Sequence, residues 1–139
     1  MIRNVIAVLV GLFVGMAANM AVVQLNLLMF PLPEGVSWTD DAELIAWIET
    51  LPQSAFVLVL VAHLAQSFCG GLIAGFIAKR NVMQIAMTVG ILTTIGGLIN
   101  LLRIPAPVWL WIEIPLYLIV AWAAAKVVLR CRINCCDEN

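Results

Sequence analysis

HLAQSFCGGLIAG, residues 63–75, lies in a run with no charged side chain from Thr50 to Ala78. A helix rises 1.5 Å per residue, so roughly 20 apolar residues cross the hydrocarbon of a bilayer. The run is long enough, and it carries His63, Gln66, Ser67 and a glycine pair among its aliphatic residues. Polar groups are costly in lipid, so they either work there or join helices together. That choice organises the reading of the whole chain.

Three further runs match the first. One is charge-free from Asn4 to Pro33, one spans Asn81 to Leu102, and one runs from about Pro107 to Val128, broken only by Glu113 and Lys126. The 139 residues are 64% hydrophobic and 11% charged, with a mean hydropathy of +1.09. A soluble domain is closer to half apolar and a quarter charged. The expected fold is all-α: an integral membrane, antiparallel four-helix bundle forming one domain over residues 1–139. Its helices cover about 4–30, 53–78, 82–102 and 107–129, followed by a cytoplasmic tail over 130–139. MIRN resembles a short basic leader, but the apolar stretch behind it reaches Phe30, so the first span reads as a retained helix.

Placing both termini in the cytoplasm puts Arg3, Lys79, Arg80, Lys126, Arg130 and Arg132 inside and only Arg103 outside. This distribution follows the positive-inside rule. Glu34, Asp40, Asp41, Glu43 and Glu49 then share the first outer loop, and Trp38, Trp47, Trp109 and Trp111 mark the outer boundary, where an indole keeps its N–H wet. Within that loop Thr39 suits an N-cap, and Leu44, Trp47, Ile48 and Leu51 recur at helical spacing. A short amphipathic surface helix is expected over about 40–50. The localisation that fits is a multi-pass protein of a bacterial inner (plasma) membrane.

Each span carries one stripe of small or polar residues. Gly11, Gly15, Ala18, Asn19 and Asn26 share a face of the first, and His63, Gln66 or Ser67, Gly70 or Gly71, and Ala74 one of the second. The third has Gly90, Thr93, Thr94, Gly97 and Asn100, and the fourth has Glu113 and Tyr117. GLFVG and GLIAG are both GxxxG, so Gly11, Gly15, Gly71, Gly75, Gly90 and Gly97 are expected to let helices approach closely. Counted from the outer ends, Asn19, His63, Thr94 and Tyr117 lie roughly 13 to 17 Å deep, and Asn26, Asn100 and Glu113 roughly 4 to 9 Å. These depths predict a polar pocket that opens outward, with Glu113 and Asn100 at its mouth and His63 and Asn19 at its floor. Pro115 is expected to kink the fourth helix.

His63 and Glu113 are the pair with chemical potential. A histidine beside a carboxylate is the minimal kit for proton relay or cation binding. The structural alternative is a neutral His63 bonded to Asn19, Tyr117 or a carbonyl, with Glu113 reaching interfacial water or paired to Arg103. No nucleophile–base set, phosphate loop or metal-ligand spacing is visible, so no cofactor or metal is expected and a conventional enzyme is disfavoured. With a net charge of -1 there is no footprint for nucleic acid.

Two families of small four-helix membrane proteins offer contrasts. Small multidrug transporters carry an essential glutamate in their first helix, and the first span here has no acid. Fluoride channels have phenylalanine with a threonine-rich break in the third helix, and GILTTIGGLINLL, residues 90–102, has no phenylalanine. The chain resembles neither. Beyond the lipid bilayer itself, the pattern suits an accessory or self-assembling bundle, meeting its own copies or a larger membrane partner. The alternative is a small oligomeric transporter or channel built on the outward-facing pocket. A membrane enzyme acting on a lipid or quinone is a third, weaker reading.

Overall fold

The computed structural model describes residues 2–36 and 41–137. Within them the chain is all-helical: α1 (Ile2–Met29), α2 (Asp41–Thr50), α3 (Gln53–Ile77), α4 (Val82–Arg103), a 3₁₀ turn (Val108–Ile112) and α5 (Glu113–Asp137). Helices α1, α3 and α4, and the segment Val108–Asn134, are each long and apolar enough to cross a membrane. The expected Thr39 cap, Trp38 and Asp40 lie outside the described residues.

The interior is built from small side chains. Ala7, Ala62, Ala74, Ala78, Ala86, Ala121, Ala124 and Ala125 are fully buried, while Leu9, Phe13, Ile95, Ile119 and Trp122 stand exposed. Water would penalise so much exposed apolar surface, whereas lipid does not. Close backbone approach therefore holds the helices together. A methyl placed on Gly11 would stand 2.6 Å from the Gly70 carbonyl oxygen and 2.8 Å from Ala74 Cβ. One on Gly15 would meet the Gln66 carbonyl at 2.5 Å. So α1 seats its glycines directly on the backbone of α3.

Helix α3 uses a second face for the others. Gly71 looks toward Ala124 and Ala86, and Gly75 toward Val128 and Val82. Gly90 of α4 makes room for Ala121, where an added methyl would sit 2.6 Å from its Cβ. Ile48 and Leu51 lean on the cluster of Phe56, Leu101 and Leu110, which ties the α2 segment to one end of the helices. Asn81, with φ 59, makes the turn between α3 and α4. Asparagine tolerates that left-handed conformation better than most residues.

Two expectations about the last helix need correction. Residues 130–137 continue α5 rather than forming a tail. No glycine or proline follows Pro115, and Arg132 gives the extension an anchor. Its guanidinium donates to the carbonyls of Gly75 at 2.9 Å, Phe76 at 3.2 Å, Lys79 at 3.2 Å and Ala78. Those carbonyls close the C-terminal end of α3, where a cation is favoured by the helix dipole. Arg3 Nε adds a bond to Ile77 O at 2.7 Å. The second concerns Pro115: the helix expected over 107–129 is a 3₁₀ turn as far as Ile112, and Pro115 lies in the first turn of α5. A proline ring clashes with an α-helical carbonyl four residues back, here Trp111. The chain before it is accordingly 3₁₀, and the α-helix starts at Glu113.

A single methyl separates the tight from the open glycines. Gly11→Ala should lower stability by about 1–3 kcal/mol through overpacking against Gly70. Gly96→Ala, which meets nothing within 4 Å, should be neutral or slightly stabilising through helix propensity. Unfolding both variants with SDS in mixed micelles checks this contrast.

Candidate functional site

Glu113 is the first residue of α5, placed there by the 3₁₀ turn and Pro115. Its side chain is fully buried. His63, nearly three turns into α3, brings Nδ1 to 2.8 Å from Glu113 Oε2 and keeps only 12% of its side chain exposed. At that distance the two share one proton in a hydrogen bond, and the tautomer of His63 decides which of them donates it. Tyr117, one turn further along α5, donates its hydroxyl to Glu113 Oε1 at 3.3 Å. Its ring lies 6.0 Å from the imidazole, centroid to centroid. Both carboxylate oxygens therefore have a protein partner.

Neighbouring helices lock this unit in place. The Ser67 hydroxyl donates to Tyr117 O at 2.9 Å. Thr93 Oγ1 lies 2.9 Å from its own helix at Gly90 O and 3.4 Å from Ser67 Oγ. Gly97 leaves the space that the Tyr117 ring fills, since a Cβ there would overlap the ring and hydroxyl. The Gly97 position thus supports the hydrogen bond to Glu113 without touching it.

In front of the pair is a cleft of about 500 Å³. Asn19 of α1, His63 and Gln66 of α3, Thr93, Gly97 and Asn100 of α4, and Tyr117 of α5 contribute its polar and aromatic walls. Leu12, Met16, Leu92 and Gly96 complete it. Asn19 Nδ2 donates to Gln66 Oε1 at 2.7 Å, fixing one amide of the wall. Asn100 also borders a second cavity of about 410 Å³, formed with Leu44, Ile45, Arg103 and Ile104.

The structure thus brings His63, Glu113 and Tyr117 into one unit and sets Asn19 and Asn100 on the cleft beside it. It does not bring in the others. Glu113, expected at the mouth of the pocket, is sealed behind His63 and does not line the cleft. Asn26 instead donates to Ala55 O at 3.3 Å, and its buried Oδ1 has no partner among the described residues. Thr94 returns its hydroxyl to Gly90 O at 2.7 Å. The Trp109 N–H, expected to be wet, is buried and has no hydrogen-bond partner among the described residues. Gln66 and Thr93 are wall residues that stood on the stripes without being singled out. Their signal was the shared face with His63 and Gly97. Among the described residues no three His, Cys, Asp or Glu side chains converge as a metal ion would require.

No protein-family model, no curated protein and no solved structure matches this chain.

The geometry makes the pair energetically coupled. His63→Leu would strand a buried carboxylate and should cost about 3–5 kcal/mol. His63→Leu combined with Glu113→Leu should cost clearly less than the two single losses added together. A double-mutant cycle of SDS unfolding energies measures the coupling, and additive losses would rule out the interaction.

Proposed function

We propose that this is a small membrane transporter whose substrate binds in the cleft, with binding linked to a proton held by the His63–Glu113 pair. The observation that carries the reading is the fully buried Glu113 bonded at 2.8 Å to a histidine that lines a cavity. A structural bundle gains little from such a pair, because packing apolar residues of similar volume is usually no less stable. A buried ionisable pair beside a cavity is instead what proton-linked binding uses.

In this reading the bundle is antiparallel, both termini are cytoplasmic, and α2 lies on the outer surface. The paired contacts of α1 with α3 support the antiparallel arrangement: Arg3 with Ile77, Gly11 with Gly70, Asn26 with Ala55. The orientation rests on six of seven Lys and Arg residues falling on one side. A bacterial inner membrane suits that charge bias. The glycines weigh against self-assembly as the main role. Gly11, Gly15, Gly71, Gly75, Gly90 and Gly97 are all occupied by neighbours within the chain. Gly96 is the one exposed helical glycine among the described residues, and it belongs to the cleft.

Reconstitution into liposomes with a lumenal pH dye and an imposed pH gradient tests transport. The wild-type protein should speed pH equilibration over empty liposomes, and His63→Ala and Glu113→Gln should return it to the empty-liposome rate while helix content persists. A wild-type rate equal to that of empty liposomes would contradict the reading.

A further inference from the structure

The rim of the cleft differs from its back wall. Met16 is 52% exposed and Leu92 41%, and Gly96 is exposed beside them. Met16 and Leu92 lie near the middles of α1 and α4, about 15–20 Å from either helix end. The two helices meet around Ala7, Val8, Leu12, Ile85 and Val89. Beyond that cluster, the cleft separates α1 from α4. Its rim at mid-span is therefore apolar and faces the direction where hydrocarbon lies.

The polar back wall has a specific hydrogen-bonding pattern. In the neutral tautomer that donates Nδ1–H to Glu113, the imidazole has Nε2 free as an acceptor. Gln66 has its Oε1 occupied by Asn19, so its NH₂ remains a donor. Asn100 adds an amide whose side chain makes no bond within the described protein. The imidazole acceptor beside amides that offer both NH₂ donors and carbonyl acceptors is satisfied by a group that donates and accepts at a single oxygen. A ketone only accepts, and an ammonium or carboxylate would enter a cleft whose wall holds no fixed charge, since Glu113 is sealed off.

We propose that the cleft takes a membrane-dissolved molecule bearing a hydroxyl group, an alcohol or a phenol, which enters sideways from the bilayer between α1 and α4. Its O–H donates to His63 Nε2 and its oxygen accepts from the Gln66 amide, while its apolar body leaves past Met16 and Leu92. This rests on the cleft being the binding site and names the class of its ligand and its route.

The test uses His63 as the reporter, because it is the only histidine in the chain. Protein labelled with ¹⁵N-histidine in lipid nanodiscs is titrated with 4-octylphenol, with 1-octanol and with 4-octylanisole, which lacks the donor. The expected result is a saturable shift of Nε2 with at least one hydroxyl compound and none with the anisole. Saturation by octylphenol alone would identify a phenol site, and by octanol alone an alcohol site. Gln66→Leu should weaken binding about tenfold, the size of one lost hydrogen bond. Gly96→Leu should abolish the shift by filling the cleft, while keeping the His63 resonances of the unliganded protein. Shifts that never saturate, that appear equally with the anisole, or that survive Gly96→Leu would overturn the proposal. Proton movement in liposomes without any saturable shift would overturn this ligand and leave transport standing. A saturable shift without proton movement would do the reverse.

Discussion

A carboxylate placed among lipid-facing helices has to be answered by donors, and the arrangement around Glu113 is organised by that need. His63 answers one oxygen and Tyr117 the other. Each answer draws in further residues. Tyr117 reaches Glu113 because Gly97 has no side chain in its way, and its backbone is tied to α3 through Ser67. Glu113 itself stands where it does because Pro115 excludes an α-helical turn before it. Helices α3, α4 and α5 are thus joined around a polar centre, with close contacts of alanine, glycine and valine around it. Interhelical hydrogen bonds and close small-residue packing are the two forces available where leucine gains nothing by leaving lipid.

Helix α1 is held differently. It sits on α3 through Gly11 and Gly15 and through the Asn19–Gln66 and Arg3–Ile77 bonds. It meets α4 through the apolar cluster at one end. The gap left between them is the cleft, so the tight glycine contact and the cavity have one origin: α1 is drawn onto α3 and away from α4. A substitution that lifts α1 off α3 would reshape the cavity without touching any polar residue in it.

The spans were readable because charge is excluded from long segments, a constraint that needs no knowledge of neighbours. The partnership of His63 with Glu113 was half readable. Composition marked both residues, but counting depth along a helix measures only one coordinate. It put Glu113 near a mouth because it could not show that Glu113 turns inward behind His63. The same limit applied to the glycines: the stripe containing Gly70 and Gly71 is two faces, one for α1 and one for α5. Gln66 and Thr93 were visible on the right faces, but nothing local distinguishes an amide that lines a cavity from one that only joins helices. The length of α5 was missed for a different reason. Arg132 reads as a tail charge until the carbonyls at the end of α3 are seen beside it.

The central claim is that His63 keeps a proton on Nδ1 and donates it in a hydrogen bond to Glu113. The most direct measurement is the ¹⁵N spectrum of the single histidine in lipid bilayers, for the wild-type protein and for Glu113→Gln. The account predicts a protonated, hydrogen-bonded Nδ1 in the wild type and a clear change at that nitrogen in the variant. A bare Nδ1, or ring resonances unchanged by Glu113→Gln, would contradict it.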